Sequence, residues 1–170
     1  MDASQLHWLS ATDAARAIRD GAVSSEQLTE SCLARVREVD DQVQAWAFLD
    51  PEHALNQARA RDQARREGRP TGPLHGVPVA IKDIIDTEDM PTEDGSALHA
   101  GRTPARDATV VAMLRAAGAV IFGKTVTTEL ATYAPGKTRN PHNPEHTPGG
   151  SSSGSAAAVA VGMEIGRAHV

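Results

Sequence analysis

Residues 148–158 read Pro-Gly-Gly-Ser-Ser-Ser-Gly-Ser-Ala-Ala-Ala, three glycines and four serines without a charge, running straight into an alanine-rich stretch. Glycine reaches dihedrals that other residues resist and serine caps helices, so this composition describes a tight turn entering a helix. Such a turn gathers hydroxyls and backbone N–H groups at one point. That suits either anion binding at a helix N-terminus or acyl transfer through a hydroxyl. A flexible linker is the alternative, but linkers seldom run into a helix former as strong as Ala-Ala-Ala-Val-Ala. A second loaded stretch is Val79-Ala80-Ile81-Lys82-Asp83-Ile84-Ile85-Asp86, an apolar run of strand length carrying a lysine. Burying a lone ammonium costs several kcal/mol unless it is paired or neutral. Lys82 is therefore either an edge-strand lysine turned to water or a desolvated, neutral amine competent as a general base.

Three other patterns carry less. Residues 118–125 have the spacing of a phosphate-binding P-loop, ending in Gly123-Lys124-Thr125. A P-loop needs a strand before its first glycine and a pliable turn after it, whereas here a helical pattern precedes Gly118 and Ala119-Val120-Ile121-Phe122 fills the supposed loop. His142 and His146 are spaced as a metal pair, but Pro144 lies between them and no cysteine or helix supports the site. They read as exposed loop histidines, with no metal and no cofactor expected. Cys32 is the only cysteine and sits among Leu28, Leu33 and Val36 at helical spacing, which marks a buried core thiol.

The elements that must position these residues emerge from caps and periodicity. Ser10 opens a short amphipathic helix closed by Gly21, and Ser24 or Ser25 opens a longer one with Leu28, Cys32, Leu33, Val36 and Val39 on one face. Residues 43–49 read as a strand. Asp50-Pro51 starts a third helix that runs to Gly68 with a charged, solvated outer face. Turn-rich residues 72–78 then deliver the chain into the Lys82 strand. Residues 89–107 read as a long surface connection. Val110, Val111, Met113, Leu114 and Ala117 form a helical face closed by Gly118, followed by a buried strand over 119–122. This helix-to-strand unit points to an α/β fold. Thr127 or Thr128 caps a short helix through Ala131, and residues 133–146 form a loop.

The 170 residues are enough for one domain with a real core, built mostly of Ala, Val, Leu and Ile because only 3% are aromatic. A net charge of -5 with no basic run argues against direct nucleic-acid binding. The single cysteine excludes an internal disulfide and fits a reducing compartment. There is no basic-then-apolar leader and no run of 18 apolar residues, so the expected protein is cytoplasmic and soluble, with no membrane partner.

Taken in order, Gly76-Val77-Pro78-Val79-Ala80-Ile81-Lys82-Asp83, Thr92-Glu93-Asp94-Gly95-Ser96, Gly123-Lys124-Thr125 and the Gly149-to-Ala158 turn resemble the amidase signature family. The resemblance covers almost everything up to Met163. It implies the N-terminal part of the amidase signature fold, an incomplete mixed β-sheet flanked by helices. It also implies hydrolysis of a carboxamide C–N bond by a Ser-cisSer-Lys relay. Lys82 matches the family's lysine base and Ser151 its relay serine, which follows a cis peptide bond after Gly150. Ser152 and Ser153 are then structural. The implied partner is a small-molecule amide, with a homodimer for the full-length protein. Residues 133–143 look more like the general amidases than like the other candidate in the family, the glutaminase (A) subunit of the tRNA-dependent amidotransferase. From another class, a phosphate-binding module using the Ser151-to-Ser155 turn as an anion nest stays open.

The sequence departs from the family at its end. The family's nucleophilic serine lies in a Gly-Gly-Ser segment beyond the position of Val170, so the 170-residue chain is expected to be inactive alone. After Met163 the resemblance implies an apolar run, yet Glu164-Ile165-Gly166-Arg167-Ala168-His169-Val170 comes next. That heptapeptide can be read from GAG ATC GGA AGA GCA CAC GTC, which matches the start of a common short-read sequencing adapter. The expected organisation is therefore residues 1–163 from an amidase domain and residues 164–170 derived from adapter.

Overall fold

The computed structural model describes residues 3–168. Its first three helices begin where the sequence supplies caps. Ser10 Oγ accepts from the Asp13 N–H at 3.1 Å and opens α1 (Ala11–Arg19). Ser24 and Gln27 form a reciprocal capping box at the start of α2 (Ser25–Val43), which decides between the two candidate serines. Asp50 caps α3 (Pro51–Arg66), whose first residue is a proline with no N–H to lose. Two further helices are α4 (Thr109–Ala116) and α5 (Ser153–Ala160).

The strands are β1 (Trp46–Phe48), β2 (Pro78–Lys82), β3 (Val120–Thr125) and β4 (Gly166–Ala168). They form one mixed sheet in the order β1-β3-β2-β4. β2 runs parallel to both β3 and β4, and β1 is antiparallel to β3. Helices cover both faces, so β2 and β3 are buried along their whole length, and each is apolar up to a lysine near its carboxyl end. Strand alternation divides their side chains between two cores. Val79, Ile81 and Ile121 pack with Ile18 of α1 and Val111 of α4, while Ala80 and Phe122 pack with Cys32 of α2 and Ala157 of α5.

Two readings are corrected. β2 lies inside the sheet and Lys82 is 1% exposed, so this lysine is not an edge residue facing water. Residues 89–107 are more than a surface connection, because Met90, Thr92 and Ser96 are buried and the stretch holds a 3-10 turn at Ala97–His99. One charged residue of α3 does not face water. Asp62 is buried and accepts the N–H groups of Ser25 (2.8 Å) and Glu26 (3.0 Å), satisfying donors at the start of α2. Among the described residues no helix is long and apolar enough to cross a membrane.

Candidate active site

Lys82 is the last residue of β2, and Ile85 N–H turns back onto its carbonyl at 2.9 Å, ending the strand there. Its side chain leaves the sheet at the carboxyl end of the strands, where open α/β sheets place ligands. Ser151 arrives from the other end of the chain, on the turn that leads into α5. Gly149 at φ +87° reverses the backbone there, and the Gly150–Ser151 peptide bond is cis. The two residues meet: Lys82 Nζ donates to Ser151 Oγ at 2.7 Å. Burial alone pushes the Lys82 ammonium below the usual lysine range, favouring the neutral amine that a base requires.

The first turn of α5 is fixed closely to the sheet. Gly154 donates its N–H to Val126 O at 2.9 Å. A Cβ at position 154 would lie 2.3 Å from Ala45 O and 2.4 Å from Val126 N, so only glycine allows this approach. Ser153 Oγ donates to the same carbonyl at 3.3 Å, and Ser155 Oγ shares a 2.6 Å hydrogen bond with Thr125 Oγ1. These groups serve the fold and are not free to hold an anion. Ser152 caps α5 by position without a side-chain hydrogen bond to the helix.

An open cavity of about 600 Å³ adjoins Ser151, with Thr128, Ala131, Tyr133, Thr147 and Gly149 on its walls. Its wall over residues 128–134 is a tightly wound segment in which Leu130 (φ +48°) and Ala131 (φ +56°) both take the left-handed conformation. Non-glycine residues hold that region only where their surroundings demand it. Here Leu130 N–H donates to Asp94 O (2.8 Å) and Ala131 N–H to Thr128 O (2.9 Å). Thr128 N–H also donates to Ser151 O at 3.0 Å, so this wall and the serine turn are one unit. Thr128 precedes the 3-10 turn Glu129–Ala131 but makes no side-chain cap.

Sequence reasoning passed over Lys124. The P-loop spacing dissolves into a Gly118 helix stop and strand β3, in which Lys124 is fully buried. Its Nζ donates to Ile85 O (3.0 Å), Pro91 O (3.1 Å) and Thr92 Oγ1, and it pairs with Asp83 Oδ1 at 3.5 Å. Burial pulls the Lys124 ammonium down and pushes the Asp83 carboxyl up, and each is opposed by the other's charge. The cluster binds residues 83–92 beneath the Lys82 end of β2. A lysine inside an apolar strand was the available signal. Cys32 is fully buried, and burial together with Glu164 raises its thiol pKa. His142 and His146 are exposed, and no cluster of three metal-ligating side chains exists among the described residues.

The Amidase family model matches residues 27–166. The chain belongs to the amidase signature family. It is 45% identical over 166 residues to the A subunit of glutamyl-tRNA(Gln) amidotransferase from Chloroflexus aurantiacus, covering 94% of this chain and 34% of that protein. Among solved structures it superposes on native peptide amidase from Stenotrophomonas maltophilia with a TM-score of 0.85 and 39% identity, covering 91% of this chain and 34% of that one. A fatty acid amide hydrolase gives a TM-score of 0.88 at 28% identity, with 97% of this chain and 30% of that chain covered. This amidase chain thus spans about a third of the length of the curated relatives it matches.

Proposed function

We propose that the chain supplies the base and the relay of an amide hydrolase. The observation that carries this is the 2.7 Å contact between a buried, desolvated Lys82 and Ser151 in a member of the amidase signature family. Neutral Lys82 takes the proton of Ser151 Oγ, and Ser151 takes that of a nucleophilic serine as its oxygen bonds to the amide carbonyl carbon. As the C–N bond breaks, the same relay returns a proton to the leaving amine. Water then attacks the acyl-enzyme by the reverse route and releases the acid. The relay needs a nucleophile and oxyanion donors besides these two residues. Lys82→Ala and Ser151→Ala in the full-length protein are each expected to lower kcat on a neutral carboxamide by between a hundredfold and about ten-thousandfold. Activity within threefold of the parent in either variant would remove that residue from the relay.

The amidotransferase relatives support a second reading, in which the amide is glutamine and the released ammonia passes to a partner protein. Rate measurements on the full-length protein separate the two. Hydrolysis of simple carboxamides in isolation supports a general amidase, whereas glutamine-specific ammonia release dependent on partner proteins supports the amidotransferase.

A further inference from the structure

Lys82 and Ser151 lie on elements far apart in the chain, so the length of their contact depends on how α5 sits against β3. Three of the contacts that hold this turn end on backbone: Thr128 N–H to Ser151 O, Gly154 N–H to Val126 O, and Ser153 Oγ to Val126 O. A further contact joins two side chains, Thr125 Oγ1 and Ser155 Oγ at 2.6 Å; both residues are 0% exposed, and Thr125 Oγ1 also donates to Ile81 O at 3.5 Å. Thr125 is the residue opposite Lys82 in the β2–β3 ladder, and its carbonyl accepts the Asp83 N–H at 2.9 Å. Ser155 lies in the first turn of α5, whose N-cap, Ser152, directly follows Ser151. The hydroxyl pair thus links the strand position beside the base to the helix position below the relay serine. A hydroxyl pair in a dry interior is costly to break on one side only.

We propose that Thr125 and Ser155 are positioning residues for the hydrolytic reaction, their hydroxyl pair setting the separation of Lys82 from Ser151. The proposal rests on the assignment of Lys82 and Ser151 as base and relay. Neither positioning residue touches the reacting atoms, so the effect falls on the chemical step and not on substrate binding.

Thr125→Val and Ser155→Ala in the full-length protein each delete one hydroxyl at nearly constant volume. With activity normalised to folded protein, kcat is expected to fall roughly tenfold to a hundredfold while KM stays within about twofold. Thr125→Ser restores kcat, and the double variant loses no more than the single variants because the bond is one unit. An unchanged kcat, a loss that Thr125→Ser fails to recover, or losses that multiply in the double variant would each overturn the proposal. Crystal structures of the variants read the geometry without turnover. A Lys82 Nζ to Ser151 Oγ distance beyond about 3.5 Å supports the proposal, and retention of hydrogen-bond length defeats it. That readout stands even if the parent hydrolyses no amide, a result that would count against the proposed function instead.

Discussion

With its ammonium desolvated at the end of β2, Lys82 sheds its proton at a lower pH than a solvated lysine. The pH dependence therefore has a definite sign. Below the folded-state pKa the amine is protonated and cannot accept from Ser151; above it the base is free. The kcat/KM of the full-length protein on a neutral amide is expected to rise with pH through a midpoint below about 10.4, the usual lysine value. A pH–rate profile from pH 5 to 11 tests this, and a limb at the solvated value would argue against Lys82 as the base. This residue stands out in the sequence because a lysine in an apolar run demands an explanation. Lys124 poses the same question, but in the sequence it is weighed against the P-loop spacing and as part of a family motif, with no role assigned to it. Its explanation is tertiary: the oxygens of Ile85, Pro91 and Thr92 converge on it from a segment whose turn-rich composition reads as surface.

Helix starts were the most legible elements, because Ser10, Ser24 and Asp50 announce themselves by residue type and by the helix-forming residues just after them. Strand ends were less so. The apolar run over 79–86 continues past the point where β2 stops, since Ile84 and Ile85 turn away to pack under the sheet and not along it. Asp62 shows a third limit, for its position among the charges of α3 conceals that it reaches α2. Its carboxylate accepts two first-turn N–H groups of that helix. Asp62→Ala leaves those buried donors unmatched and is expected to cost about 1–3 kcal/mol in chemical denaturation. Because Asp62 contacts neither Lys82 nor Ser151, kcat per folded molecule should not change. A drop in kcat without a drop in stability would assign Asp62 a different role.

At the scale of the whole chain, the mixed sheet grows by backbone pairing, and β4 joins it through parallel bonds to Val79, Ala80 and Ile81 of β2. Such bonds need only N–H and C=O groups, so any sequence without proline can fill that slot. The presence of β4 therefore does not vouch for residues 164–168 as amidase residues. Side-chain character is the better witness. Glu164 is 3% exposed at a position where the family resemblance implies an apolar residue, and its carboxylate adds to the burial that raises the Cys32 thiol. We propose that residues 164–170 come from adapter sequence and that residues 1–163 are the amidase portion. A long read of the genomic locus across codon 163 is expected to show the frame continuing into an apolar segment and on to a Gly-Gly-Ser nucleophile motif. Seven genomic codons for Glu164 to Val170 followed by a stop would defeat that expectation and leave the Lys82–Ser151 pair without a nucleophile from its own chain.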